Sequence, residues 1–101
     1  MRLCLNQDQA EGLYSLICHL LKEYKPENIG ERLIEDMIKR VSEKLRKKVL
    51  GSFVKEYAIV LSPEEAKAYW LFFEQNTIGQ EFLSEKRIVE QQCNQINFTY
   101  G

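Results

Sequence analysis

The segment Ile59–Phe73 reads IVLSPEEAKAYWLFF, and it contains the signals that decide the fold. Its first three residues are β-branched or apolar, which favours a strand. Ser62 then offers a capping hydroxyl, Pro63 suits the first helical position, and Glu65 can complete a capping box. The segment therefore predicts a strand that is followed directly by a helix.

Both elements of this junction have side chains that need burial. Residues Phe53–Leu61, FVKEYAIVL, are rich in β-branched and aromatic side chains, and Tyr57, Ile59 and Leu61 alternate onto one face. The helix contains five consecutive apolar residues, Tyr69–Phe73. We therefore expect neighbouring elements to cover this helix on more than one side.

The beginning of the chain shows the same pattern. Leu3–Ile17 reads LCLNQDQAEGLYSLI, in which two alternating leucines precede Asn6, a residue suited to cap a helix. Asn6 and Ser62 lie 56 positions apart. Two interpretations are open: every strand-to-helix junction needs these parts, or the chain is a pseudo-two-fold repeat with halves 1–51 and 52–101.

The remaining signals predict three further helices. The first begins at Asn6 and is stopped by Pro26. The second begins near Asn28 and ends at Gly51, which is expected to adopt the left-handed conformation. A weaker apolar pattern predicts the last helix from about Ile78 to Ile96. The closing segment Ile96–Tyr100 alternates apolar and polar residues, so it is either a third strand or a frayed terminus.

These elements predict one small α+β domain, predominantly helical, in the order β-α-α-β-α-α. A chain of 101 residues has the length of a single domain. We expect the two strands to pair, in antiparallel orientation if a two-fold relates the halves. Helices should cover one face of this ribbon, because two strands alone are marginally stable in water.

Composition and charge limit the classes of function. The 14 basic residues against 15 acidic ones give a net charge of −1, without the basic excess of a dedicated nucleic-acid-binding protein. No apolar run approaches the roughly 20 residues that span a bilayer, so no membrane association is expected. Three cysteines, without a CxxC motif or a signal peptide, indicate a cytoplasmic protein with reduced thiols.

No residue pattern indicates catalysis or a bound cofactor. Cys18 and His19 are adjacent, so on a helix they point about 100° apart and do not ligate one metal together. Glu64 and Glu65 form a carboxylate pair, but the first turn of a helix is where acidic residues stabilise the dipole. We therefore predict no catalytic, cofactor or metal site and expect the protein not to be an enzyme.

Two surfaces are candidates for binding. The helices that contain Ala10 and Ala66 have more apolar side chains than a core of this size is expected to hold. The candidate surplus residues are Leu16, Leu20, Trp70, Leu71 and Phe72. They predict a non-catalytic interaction module, such as a small adaptor, regulator or inhibitor, that forms a homodimer or binds another protein.

The alternative surface is the basic flank of the second helix, where Arg40, Lys44 and Lys47 lie together. These side chains are suited to contact phosphates, which predicts a small nucleic-acid-binding regulator as the second hypothesis. A solvated face that complements the helix dipole explains the same residues, and Glu43 is interspersed among them.

Overall fold

A computed structural model describes residues 1–51 and 56–101 of the chain. Its elements are strand β1 (Arg2–Leu5), helices α1 (Gln7–Glu23) and α2 (Ile29–Gly51), strand β2 (Tyr57–Val60), helix α3 (Pro63–Gln75), a short 3-10 helix (Gln80–Phe82) and helix α4 (Leu83–Tyr100). The predicted order β-α-α-β-α-α and the predominantly helical α+β class are confirmed.

The two strands form an antiparallel ribbon in which Arg2 lies opposite Val60. Backbone pairing continues one residue beyond β1, because Met1 N donates to Leu61 O at 2.9 Å and Leu61 N donates to Met1 O at 2.7 Å. Every second side chain of each strand is buried beneath the ribbon. The period of two in the sequence thus gives one face to the core and the other to solvent.

Both strand-to-helix junctions contain a complete capping box. Asn6 Oδ1 accepts a hydrogen bond from Gln9 N at 2.8 Å, and Ser62 Oγ accepts one from Glu65 N at 3.1 Å. Each cap satisfies backbone donors that the first helical turn leaves unpaired. The element order and the caps agree with the half-repeat interpretation, but a pseudo-two-fold relation of the halves stays a prediction.

One core lies between the helices and the buried face of the ribbon. Helix α2 packs against α1 and α3, and α4 packs against the same two helices. The largest fully buried side chains come from all four α-helices, from β2 and from the junction that follows β2, and they are Tyr69, Phe72, Leu13, Leu16, Ile17, Ile38, Leu45, Ile59, Leu61, Ile96 and Val41. Every described helix therefore contributes to a single hydrophobic cluster.

The C-terminal segment Ile96–Tyr100 is neither a strand nor a frayed end, and both predictions for it are wrong. It forms the last turns of α4. The reason is burial: Ile96 is 2 % exposed and continues the helical stripe of Val89 and Gln92. Thr99 Oγ1 also donates to Gln95 O at 3.0 Å, which stabilises the final turn.

Gly51 does not end α2 in the left-handed conformation that the sequence predicted. It is the last residue of α2, and none of the glycines in the described parts of the chain has a positive φ. The backbone remains right-handed through Gly51, so no left-handed residue is required at that position. The part of the predicted strand that precedes Glu56, Phe53–Lys55, lies outside the described residues, and β2 begins at Tyr57.

Candidate functional site

An open apolar cleft of about 640 Å³ lies between the first half of α2 and helix α3. Its lining residues are Asn28, Gly30, Glu31, Leu33, Ile34, Met37, Glu64, Lys67, Ala68, Leu71 and Gln75. We call this surface the α2–α3 cleft. Leu33 is 55 % exposed and Leu71 is 41 % exposed, so two large apolar side chains of this cleft are accessible to solvent.

The helical repeat explains why these leucines are exposed. On α2 the buried residues Ile34 and Ile38 are four positions apart, and Leu33 precedes the first of them. On α3 the residue Leu71 precedes the buried Phe72 in the same way. A neighbour in sequence points about 100° away on a helix, so both leucines lie beside the buried stripe rather than in it.

A second cleft, of about 360 Å³, lies on the other side of Leu71, between α3 and the end of α4. The half-buried Trp70 and Tyr100 line it, and Lys67 and Leu71 line both clefts. Lys67 Nζ lies 5.7 Å from the centre of the Tyr100 ring, a cation–π distance. The outer face of α3 is therefore a ridge between two clefts.

The structure separates the five apolar residues that were predicted to form an interaction surface. Trp70 and Leu71 lie on the ridge of α3. Leu16, Leu20 and Phe72 are at most 7 % exposed, so the expectation that the core lacks room for them is wrong. These three side chains belong to the single core that the four helices and the ribbon enclose, and only the packing of the predicted elements shows that they fit there.

Sequence reasoning missed the contribution of α2 to this surface. Leu33 lines the α2–α3 cleft, Met37 lines it as a half-buried side chain, and Ile29 at the start of α2 is 86 % exposed. The sequence did contain an indication of this surface, because Leu33 and Ile29 are large apolar residues that lie beside the buried stripe of α2 and not within it. The association of Leu33 with α3 required the tertiary structure.

The three basic residues of the second helix have different surroundings. Arg40 and Lys47 are exposed, whereas Lys44 Nζ donates to Glu65 Oε1 at 2.6 Å and to Val60 O at 2.8 Å. Lys44 thus connects α2 to the last residue of β2 and to the capping box of α3. This contact is structural, and it removes the central ammonium from the predicted phosphate-binding flank.

The carboxylate pair of α3 is explained by the same contacts. Glu65 is 5 % exposed, and its Oε1 also accepts from Ser62 N at 2.8 Å. Burial alone would raise the pKa of Glu65, but the hydrogen bonds from Lys44 and Ser62 outweigh it and lower the pKa. Glu64 is exposed and lines the α2–α3 cleft. The two carboxylates therefore have different surroundings.

The histidine and the cysteines do not assemble into one site. His19 is exposed, and its ring centre lies 5.5 Å from that of Phe82. Cys18 Sγ lies 3.9 Å from Ser42 Oγ. Within residues 1–51 and 56–101, no three histidine, cysteine, aspartate or glutamate side chains are placed to hold a metal ion.

The thiol of Cys93 is predicted to react much more slowly than that of Cys4. Burial, with a further contribution from Glu74, raises the pKa of Cys93 to about 11, whereas Cys4 is exposed. At pH 8 only about 0.1 % of Cys93 is thiolate, the reactive form. Timed alkylation followed by peptide mass spectrometry should find Cys4 modified first. Rapid modification of Cys93 in a Cys4→Ser variant would contradict this assignment.

Comparison with known proteins does not assign the chain to a family. No family model matches it, and neither a curated protein nor a solved structure matches it significantly. Among the described helices, none combines the length and apolar character needed to cross a bilayer. The surfaces themselves are therefore the basis for a functional proposal.

Proposed function

We propose that the protein is a non-catalytic interaction module, a small cytoplasmic adaptor, regulator or inhibitor, that binds an apolar helix face through the α2–α3 cleft. The observation that carries this proposal is that Leu33 and Leu71, on different helices, line one cleft while remaining 55 % and 41 % exposed. Groups of exposed large apolar side chains are typical of protein-binding surfaces.

The form of the cleft favours a helical ligand. Its walls are two helices, and apolar side chains at intervals of three or four residues on a third helix fit such a groove. Leu33, Met37 and Leu71 supply the apolar contacts. Complete burial of a leucine side chain contributes about 1.5–3 kcal/mol to the binding free energy. Leu33 and Leu71 are each about half exposed, so covering either one contributes roughly half of that amount.

A second copy of the chain is the partner that we propose first. A two-fold dimer needs a surface that is complementary to itself. On α3 the exposed residues Glu64 and Lys67 are oppositely charged and line the same cleft as Leu71. Two α3 helices that cross near Ala66 in antiparallel orientation would place Glu64 of each copy near Lys67 of the other, and Leu71 of each copy beside the start of the partner helix.

Replacing Leu71 with glutamate should abolish binding at the cleft, because the charge would have to be buried against apolar side chains. We expect the wild type to be dimeric by sedimentation equilibrium and the Leu71→Glu variant to be monomeric. Leu50→Glu is the matched control, since Leu50 is 73 % exposed near the end of α2 and does not line the cleft. Its dimerisation should equal that of the wild type.

If the wild type is monomeric, the proposed ligand is a helix of another protein, and the test then uses helical peptides. A displayed library of helical peptides should then yield ligands that bind the wild type and Leu50→Glu but not Leu71→Glu. A monomer for which no peptide distinguishes Leu71→Glu from Leu50→Glu would refute the proposed function. Circular dichroism and thermal unfolding of each variant verify that the fold is retained.

Nucleic-acid binding through the second helix is the alternative hypothesis, and the contacts of Lys44 weaken it. Arg40 and Lys47 remain exposed, but Lys44 is held by Glu65 and Val60. The net charge of −1 adds no long-range attraction for phosphates. The α2–α3 cleft is therefore the better-supported surface.

A further inference from the structure

In the part of the chain that the structure describes, the outer edge of β1 has backbone groups without a strand partner. Met1 and Leu61 exchange two backbone hydrogen bonds, and bonded pairs alternate along an antiparallel ladder. The register then makes Leu3 opposite Ile59 the next bonded pair. It follows that the N–H and C=O groups of Arg2 and Cys4 point away from β2. The described sheet has no third strand on that side.

A cleft of about 240 Å³ runs along this edge between β1 and α4. It is lined by Arg2, Leu3, Cys4, Leu5, Gln9, Ile88, Gln91, Gln92 and Gln95. We call it the β1–α4 cleft. All four residues of β1 thus line one side, two turns of α4 line the facing side, and Gln9 of α1 completes the lining.

The helical wall presents amide side chains. Gln91 and Gln95 are exposed, and no hydrogen bond of either side chain is found among the described residues. Gln92 differs, because its Oε1 accepts a hydrogen bond from the buried Tyr69 hydroxyl. An amide supplies both donors and an acceptor, so Gln91 and Gln95 can bond either backbone group of a ligand.

The dimensions of the two walls match those of an extended chain. Residues four apart on a helix are separated by about 6 Å along its axis. Two residues of a strand advance about 6.6–6.8 Å. This spacing would let Gln91 and Gln95 bond alternate residues of a ligand strand that runs along α4 and whose other edge is bonded to Arg2 and Cys4.

The charge of the cleft indicates the chemistry of the ligand. Arg2 is exposed, and among the described residues that line this cleft it is the one charged side chain, with no carboxylate beside it. An acidic side chain on the bound segment would lie opposite the Arg2 guanidinium, which forms no salt bridge with any described residue. A basic segment would have no counter-charge in this cleft.

We propose that the β1–α4 cleft binds an extended, acidic peptide segment as a third strand of the sheet. Strand addition to an exposed edge uses main-chain hydrogen bonds for affinity and side chains for selectivity. A second copy of β1 fits less well, because a two-fold through the shared edge would bring both α4 helices to the same side of the joined sheet, next to that edge. This site shares no lining residue with the α2–α3 cleft, so either proposal can fail without the other.

The test uses a blocked pentapeptide of alternating threonine and valine with a central glutamate. Titrated into the ¹⁵N-labelled full chain, it should give saturable shifts of the Arg2 and Cys4 backbone amides and of the Gln91 and Gln95 side-chain amides. A peptide with lysine in place of glutamate should bind about 2- to 5-fold more weakly. In an Arg2→Glu variant this preference should reverse.

Two variants test the backbone contact. Cys4→Pro removes a backbone N–H that points away from β2 and leaves the pairing with β2 intact, so peptide binding should be lost. Val60→Pro is the control, because it removes an N–H that points away from β1, and peptide binding should be retained. If Cys4→Pro does not fold, the exposed pair Gln91→Ala and Gln95→Ala should reduce binding at least threefold. The proposal would be overturned by any of three results: no chemical-shift changes, changes confined to the α2–α3 cleft, or changes in β1 that depend only on protein concentration.

Discussion

Replacement of Phe72 by alanine is expected to lower the free energy of unfolding by about 3–5 kcal/mol, the usual cost of truncating a buried phenylalanine. Phe72 is 0 % exposed, and its ring centre lies 5.3 Å from those of both Tyr24 and Phe73 in edge-on contacts. Truncation would remove these contacts and leave a cavity in the hydrophobic core. The transition temperature should fall by at least about 12 °C.

The neighbouring residue provides a matched control. Leu71 is 41 % exposed, so Leu71→Ala should cost less than about 1 kcal/mol. Urea unfolding of both variants measures this contrast. Equal destabilisation by the two substitutions would show that Phe72 does not lie in the core. Reduced dimerisation of Leu71→Ala at nearly unchanged stability would agree with the proposed role of the α2–α3 cleft.

Replacement of Lys44 by methionine is expected to destabilise the protein by about 1–3 kcal/mol at pH 7. Glu65 would retain the hydrogen bond from Ser62 but lose its ammonium partner while remaining 5 % exposed. A fully buried pair would cost more to break, but the Lys44 side chain is 41 % exposed and solvent screens part of its charge. Chemical denaturation at pH 7 measures the loss.

The effect of Lys44→Met should decrease at low pH. The folded-state pKa of Glu65 is lowered from its usual 4.5, so the stability that its charge contributes is fully present above pH 4.5. This contribution is lost as the pH falls through the folded-state value. Once Glu65 is protonated in both proteins, wild type and variant should differ less. A constant difference from pH 7 to about pH 3 would refute the charge-based explanation.

The control for this prediction is Lys39→Met. Lys39 Nζ lies 3.6 Å from Glu35 Oε1 on the same helix, and 60 % of the lysine side chain is exposed. An exposed pair of this spacing contributes only about 0.3–0.5 kcal/mol. Lys39→Met should therefore change stability little at either pH.

The order of elements was predictable because it depends on contacts between residues close in sequence. Each capping box joins residues three positions apart, such as Ser62 and Glu65. The alternation of apolar and polar side chains along each strand is likewise a local pattern. Pro26 marked the end of α1 for the same reason, since α1 stops at Glu23 and the backbone is extended at Tyr24.

The C-terminal segment shows where local pattern was insufficient. Ile96–Tyr100 alternates apolar and polar residues over five positions, which fits a strand, but Ile96 also lies four positions after Gln92 on a helix. Short apolar patterns do not distinguish these periods. Packing of α4 against α1 and α3 decides in favour of the helix.

Local sequence was enough to predict the two paired strands, the capped helices and their order, because propensity, caps and periodicity act within one turn or one strand. Long-range packing is the reason that Phe72 is buried while Leu71 remains accessible, and that Lys44 reaches Glu65, 21 positions away. A helical pattern shows how many side chains are apolar, but the neighbours that cover each of them come from distant parts of the chain. Both proposed binding clefts lie where elements remote in sequence meet, α2 with α3 and β1 with α4.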